Sequence, residues 1–308
     1  MSLGTPCIDV LLPTWNGERF LRAQLDSLLA QQGASIRILV HDDASDDGTW
    51  RLSQSYAARH GNIALHTGPH LGVVGNVNRL LRLSEQENTS GYFALCDQDD
   101  IWYPRKLTRS MQAMRLLERR HGVGRPLLVC ADARCVDARG RPLRASFLRG
   151  LGLPPHWGRD LRQVLVMSHA LGCTCLGNAA LRRLALPLPA AEEIFMHDWW
   201  LLLVASCFGA THYIHEPLLD YRQHEANTLG ARGRKTAFLQ CLAASRERAR
   251  RSQRQARTLL RRFEDRMDAA ALRAVRAWAD MPETPWCLRQ WLCRRHGFAK
   301  PGWARLWT

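Results

Sequence analysis

The feature that most constrains the fold is an alternation of short apolar runs with amphipathic stretches over the first 120 residues. Ile8 to Leu12, Ile36 to Val40, Ile63 to His66 and Tyr92 to Leu95 read as buried strands, each short and bounded by turn residues. Between them, Gly17 to Ala30, Trp50 to Arg59 and Gly72 to Leu83 place apolar residues at helical spacing. Pro104, tolerated in a first helical turn, opens a helix that reaches about Arg120. A strand–helix–strand rhythm implies a mostly parallel sheet flanked by helices, because parallel strands need crossover connections. Ligands of such sheets sit outside the carboxyl ends of the strands. Two acidic clusters fall at that edge: His41 to Asp47 after the second strand and Asp97 to Asp100 after the fourth.

Later segments are less regular. Leu127 to Val136 reads as a strand, Leu143 to Trp157 as a Pro/Gly-rich loop, and Val164 to Gly177 as a segment carrying Gly-Cys-Thr. Phe195 to Phe208 reads as a helix with His197 and Asp198 at its start. His212 to Leu219 reads as a strand, Tyr221 to Gly230 as a polar loop, and Thr236 to Trp278 as helical. The 308 residues are 46% hydrophobic, enough for a sizeable core, and 23% charged without a biased tract, which excludes wholesale disorder. Ten scattered cysteines form no CxxC pair and read as buried free thiols in a reducing compartment. Met1 to Cys7 lacks the pattern of a signal peptide. The longest apolar run, Trp199 to Ile214, is short for a membrane span and reads as a buried helix leading into a strand. The expectation is a cytoplasmic protein, soluble or peripheral on the inner face of the membrane.

Asp97, Asp99 and Asp100 put three carboxylates in four residues, and like charges so close raise one another's energy. A cation relieves that cost. Oxygen ligands at a strand end suit Mg²⁺ or Mn²⁺, which bind through one or two carboxylates plus substrate phosphates. The alternative is a solvated acidic loop or helix cap. Of the other cluster, Asp46 or Asp47 is expected to cap the next helix, while Asp42 or Asp43 faces the cleft, where a carboxylate can accept the imide N–H of uracil or thymine.

Leu12-Pro13-Thr14-Trp15-Asn16-Gly17-Glu18, the His41 to Thr49 turn, Asp97-Gln98-Asp99-Asp100-Ile101-Trp102, Gly172-Cys173-Thr174, His197-Asp198-Trp199-Trp200 and Tyr221-Arg222-Gln223-His224 together resemble family 2 glycosyltransferases of the GT-A fold. Within that family they look most like bacterial polysaccharide rhamnosyltransferases. The resemblance implies an α/β fold with a Rossmann-like, mostly parallel sheet over residues 1–230, with a nucleotide-sugar half to about 120 and an acceptor half beyond it. It also implies inverting transfer of a hexose from a dTDP- or UDP-sugar to a glycan or lipid-linked acceptor. Pro13, Thr14, Asn16, Glu18, Gly72 and Asn76 would line the nucleotide pocket, with Asp43 on the base and Gln98 beside it. Asp97 and Asp99 would bind the metal, and Asp97 would also face the nucleotide sugar. Asp198 would be the general base, and Arg222 and His224 would reach the diphosphate from a mobile loop. Trp102, Gly172, Cys173, Thr174, His197, Trp199 and Trp200 are candidates for the acceptor and sugar pocket, although tryptophans at a helix start are more often core.

The formal charge of +15 is unevenly spread: Met1 to Leu229 holds 24 basic and 22 acidic residues, whereas Gly230 to Thr308 holds 19 and 6. Residues 231–308 therefore read as a basic, Trp-containing helical extension. Trp286, Trp291, Phe298, Trp303 and Trp307 alternate with Arg and Lys, as in segments that lie on anionic membranes. A basic nucleic-acid-binding protein is the reading from another class. No helix-turn-helix, zinc-finger or RRM signature accompanies the charge, so no specific nucleic-acid partner is expected.

Overall fold

The computed structural model describes residues 7–87, 91–154, 156–225, 238–281 and 286–298. Strands β1 (Cys7–Thr14), β2 (Ser35–Asp42), β3 (Ile63–Thr67) and β4 (Tyr92–Leu95) alternate with helices α1 (Glu18–Leu29), α2 (Thr49–Ala57) and α3 (Gly72–Glu87). A two-residue strand, β5 (Ile101–Trp102), precedes α4 (Lys106–His121). Pro104 lies in the turn before α4, not at its first position as the sequence suggested. The chain continues through β6 (Leu127–Asp137), β7 (Pro142–Arg144), α5 (Phe147–Gly150), α6 (Leu161–Val166), a 3₁₀ turn at Gly172–Thr174, β8 (Leu176–Asn178) and α7 (Ala179–Ala185). It then forms α8 (His197–Phe208), β9 (Ala210–Gln223), α9 (Phe238–Phe263), α10 (Ala269–Ala279) and α11 (Trp286–Arg295).

The strands form one sheet in the order β3-β2-β1-β4-β8-β6-β9-β5, with β7 attached to β6. The first four are mutually parallel, and β6 is parallel to β9. Strand β8 runs antiparallel to both neighbours, Leu176 pairing with Ala94 on one side and Val129 on the other. This is the expected α/β architecture with a mostly parallel sheet. Alternation along the strands feeds two cores. Ile8, Val10 and Leu12 pack beside α1 and α4 residues such as Leu25 and Leu107, whereas Leu11 turns to the opposite face with α3 and α8.

Helix α8 has apolar residues all round, which suits only a fully buried helix. It is covered by the C-terminal helices: Ala256, Leu259 and Phe263 of α9 and Val275 and Trp278 of α10 join Trp200 to Ala205 in one core. The single long helix expected from Thr236 to Trp278 is two. Asp268 separates them, its carboxylate accepting the amides of Ala270 and Ala271 at the start of α10. Short helix α7 was not anticipated, although Asn178 marks its start by accepting the amide of Leu181. Strand β9 runs on to Gln223, so Tyr221 to Gln223 are not loop as expected; residues 226–230 lie outside the described residues.

Because the C-terminal helices share a core with α8, Trp278→Ala should destabilise the whole protein by about 3–5 kcal/mol. Urea unfolding followed by both fluorescence and circular dichroism should give one shifted transition. Two separated transitions would contradict a common core.

Candidate active site

The loops that follow β1 and β2 are laced together. Thr14 Oγ1 and Ser45 Oγ both donate to Asp42 Oδ1, at 2.9 and 2.7 Å. The Asn16 amide donates to Ser45 Oγ, and Asn16 Oδ1 accepts the Asp46 amide at 3.0 Å. Glu18 Oε2 accepts the Gly48 amide at 3.0 Å, and Asp47 accepts the amides of Glu18 and Thr49. Thr14, Asn16 and Glu18 thus spend their side chains on the shape of the pocket rim, with half-exposed Pro13 beside them. The turn needs left-handed backbone at Asn16 (φ 46°) and Ala44 (φ 63°), which asparagine tolerates better than alanine.

Gln98 joins this rim to the second acidic turn. Its amide clasps the main chain of Trp15, Oε1 accepting from the Trp15 N–H at 2.9 Å and Nε2 donating to the Trp15 carbonyl at 2.8 Å. Gly17 passes under that clasp: a Cβ there would stand 2.2 Å from Gln98 Oε1. Trp15 is left 52% exposed, its ring 5.1 Å from that of His70. His70 Nδ1 lies 3.0 Å from Asp43 Oδ2. Asp43 itself is 2% exposed, and its two oxygens accept the amides of Leu71 (2.7 Å) and Gly72 (2.9 Å) at the start of α3. Asp43 thus anchors the start of α3, and the Trp15 and His70 rings are the accessible surface beside it. Neither aromatic was singled out from sequence; an exposed Trp directly after a strand was the available signal. Asn76 is also buried, its Nδ2 donating to the His41 carbonyl, so it braces β2 instead of lining open space. Gly72 is half-buried at φ +69°.

The second acidic turn and the start of α8 share one recess. Asp97 is held up at about 7 by burial and by the charges of Asp99 and Asp198. Asp198 is pushed up to about 6 by burial, while the amides of Trp199 and Gly172 pull it back down. The Gly-Cys-Thr turn packs directly against it: a Cβ on Gly172 would lie 3.8 Å from Asp198 Oδ2 and 3.1 Å from His197 Nε2. Asp100 is fully buried. Its Oδ1 accepts the Arg222 amide at 3.0 Å, and its Oδ2 has no hydrogen-bond partner among the described residues. Ligand atoms of Asp97, Asp100 and Cys173 lie within 4.8 Å of one another. Asp99, expected with Asp97 to bind the metal, meets His224 Nε2 at 2.7 Å through Oδ2.

Arg222 is on strand β9, not on a mobile loop. Its guanidinium donates to the carbonyls of Asp99 and Ala138 and lies 5.0 Å from the Phe20 ring, and the His224 ring stacks at 4.7 Å on the same phenyl. By its spacing Phe20 reads only as one residue of the apolar face of α1.

Several candidates for the sugar pocket lie behind the recess. Trp199 and Trp200 are core, their indole N–H groups donating to the carbonyls of Val164 (2.7 Å) and Ala185 (3.4 Å), which leaves no ring face for a sugar. Trp102 is likewise buried, with Lys106 Nζ 3.4 Å from its ring centroid. His197 is buried, which holds its ring at about 4, neutral at physiological pH. Cys173 and Thr174 are fully buried, and Gly172 is buried with them. Cys173 and Gly172 form the floor of the recess beside the carboxylates.

Residues 9–124 match the model of the family described as Glycosyl transferase family 2. Over 230 residues, 71% of this chain and 74% of the relative, the sequence is 26% identical to dTDP-rhamnosyl transferase RfbG of Shigella flexneri. The fold is shared with S. aureus TarS residues 1–349, solved in complex with UDP-GlcNAc, at TM-score 0.57 and 15% identity over 94% of this chain and 88% of that one. It is shared as well with the mannosyltransferase PcManGT of Pyrobaculum calidifontis, solved in complex with GDP-Man and Mn²⁺, at TM-score 0.55 and 15% identity over 96% and 74%. The chain is a glycosyltransferase.

Under the acidic turn of this glycosyltransferase lies one buried cation. Lys106 is fully buried, and its ammonium has no hydrogen-bond partner among the described residues. Burial lowers it from 10.5 to about 8, against the opposing fields of Cys173, Cys96, Cys175 and Asp100. That displacement costs about 3 kcal/mol of stability at pH 7. Folded chains release the proton at lower pH than unfolded ones, so the cost is complete below pH 8 and fades as pH rises to 10.5. Lys106→Met should accordingly be more stable than wild type in urea at pH 7, and the advantage should shrink by pH 10. An equal difference at both pH values would show that the charge is not what costs stability.

Proposed function

We propose that this glycosyltransferase inverts the anomeric centre of a nucleotide-diphosphate hexose, L-rhamnose from dTDP-rhamnose, as it transfers the sugar to a glycan or lipid-linked acceptor of a surface polysaccharide. The observation that carries the reading is proximity: ligand atoms of Asp97 and Cys173 lie within 4.8 Å of one another, and a Cβ on the adjoining Gly172 would lie 3.8 Å from Asp198 Oδ2, so the acidic turn and the start of α8 meet. The rhamnosyl relative supports the donor.

In this reading Asp198 takes the acceptor hydroxyl's proton as that oxygen bonds to the anomeric carbon. The bond from that carbon to the diphosphate oxygen breaks on the opposite face, and the nucleoside diphosphate departs with the electron pair. Amide donation from Trp199 and Gly172 holds the Asp198 carboxylate oriented. Arg222 and the His224 ring, both held against Phe20, would meet the diphosphate. Trp15 and His70 offer the flat surface for the base, and Gln98 keeps Trp15 in place. The clustered carboxylates of Asp97 and Asp100, with Asp99 on the same turn, offer the oxygen ligands that suit a divalent cation such as Mg²⁺ or Mn²⁺. Bound there, it would neutralise charge on the departing diphosphate. The lipid-linked acceptor would bring the enzyme to an anionic membrane surface through its C-terminal region. A UDP-sugar donor is the second reading, favoured by the neighbour solved with UDP-GlcNAc.

Asp198→Asn should lower turnover about 10²–10⁴-fold while nucleotide binding persists. A base must be ionised to act, so wild-type kcat/KM should rise with pH through about 6, the value that burial gives Asp198. Turnover of Asp198→Asn at the wild-type rate would remove the assigned base. The donor is tested by thermal shift with dTDP, UDP and their sugars, with and without Mn²⁺. Stabilisation by dTDP over UDP is the expected result, the reverse order would select the second reading, and no nucleotide response would overturn both.

A further inference from the structure

Among the described residues, helix α11 presents an unpartnered face of a particular chemistry. Leu288 and Trp291 are 44% and 52% exposed, and Arg294 and Arg295 follow them, exposed as well. Positions 288, 291, 294 and 295 fall on one side of a helix by their spacing of three and four. The opposite side is committed to the core, where Cys293 packs against Met281 at 3.7 Å. Phe298, expected among the interfacial aromatics, belongs to that core too, its ring 5.1 Å from Trp278. Trp291 therefore stands out among the described aromatics of the extension, and Arg295 lies over its ring at 5.0 Å.

The surroundings select the partner. The segment 286–298 contains three arginines and no acidic residue. Across the described residues of 247–298, ten arginines are exposed against four acids. An apolar protein partner would not need that charge. A nucleic acid would not need an exposed leucine beside the tryptophan. A bilayer rich in anionic headgroups uses both: it takes up the leucine and indole at the headgroup–acyl boundary and pairs arginines with phosphate. An arginine stacked on the indole can reach headgroup phosphate while the ring stays at the boundary.

We infer that the Leu288–Trp291–Arg294–Arg295 face of α11 is the membrane-contact surface of this enzyme, and that its partner is an anionic phospholipid bilayer. The inference rests on the reading of a lipid-linked acceptor and deepens it by naming the surface that meets the lipid.

The test is co-sedimentation of the full chain with phosphatidylcholine vesicles, with and without about a third phosphatidylglycerol, at low salt. Binding is expected only to the anionic vesicles. Arg294→Glu with Arg295→Glu should weaken it about tenfold or more, and Trp291→Ser several-fold. Nucleotide thermal shift, run on the same preparations without vesicles, should be the same for all variants. No vesicle binding with that shift intact overturns the inference alone, whereas loss of the shift in wild type strikes the donor reading instead. Equal binding to neutral vesicles, binding untouched by either variant, or variant-sensitive binding to polyuridylate without binding to vesicles would each overturn the membrane assignment.

Discussion

The constraint on which the rest of the molecule depends is the crowding of negative charge at the carboxyl ends of the strands. Asp97, Asp99, Asp100 and Asp198 border one recess, and burial together with mutual repulsion makes ionisation of Asp97 and Asp100 expensive. Such a site survives only where dipoles and cations are supplied in advance. The fold supplies them from separate segments: the Arg222 amide to Asp100, the Trp199 and Gly172 amides to Asp198, the His224 ring to Asp99. Lys106 adds a fixed positive charge from below. A site assembled in this way has surplus negative charge on its open side, which is the property a divalent cation and a departing diphosphate require together.

The rim nearer the base obeys a different economy. There the carboxylates of Asp42, Asp43 and Asp47 are saturated by amides and hydroxyls, so they shape the chain and leave little charge unspent. Gln98 couples the two regions, because its side chain holds Trp15 while its main chain belongs to the acidic turn. A shift of that turn would move Trp15 with it. The position of Trp15 and the state of the carboxylates are thus linked through one amide.

The period of the apolar residues made the first half of the fold legible. β1 to β4 and α1 to α3 follow directly from it, and so does the placement of both acidic clusters at one edge. Legibility falls where burial is complete. Trp199, Trp200 and Trp102 carry the residue type that stacks on sugars, yet their N–H groups are satisfied inside the core, and sequence does not distinguish an aromatic that faces a cleft from one behind it. Asp43 and Asn76 illustrate the same gap for polar groups: residue type announces a hydrogen bond, whereas the partner, here an amide of α3 or a carbonyl of β2, depends on how the elements pack. Phe20 was hidden differently, as one apolar residue in a helical stripe whose neighbours across space, Arg222 and His224, are two hundred positions away.

The C-terminal helices bring these strands of argument together. Asp198 stands at the first turn of α8, and the body of α8 has no exposed face with which to hold itself. α9 and α10 close over it, so the orientation of the assigned base is set partly by residues outside the segment that matches family 2. Most of the arginines described in the extension lie on its outer surface, where they cost the core nothing. One segment can therefore serve two ends by its two faces: the inner face fixes the helix that carries the proton acceptor, and the outer face is free to choose the surface at which the acceptor is met.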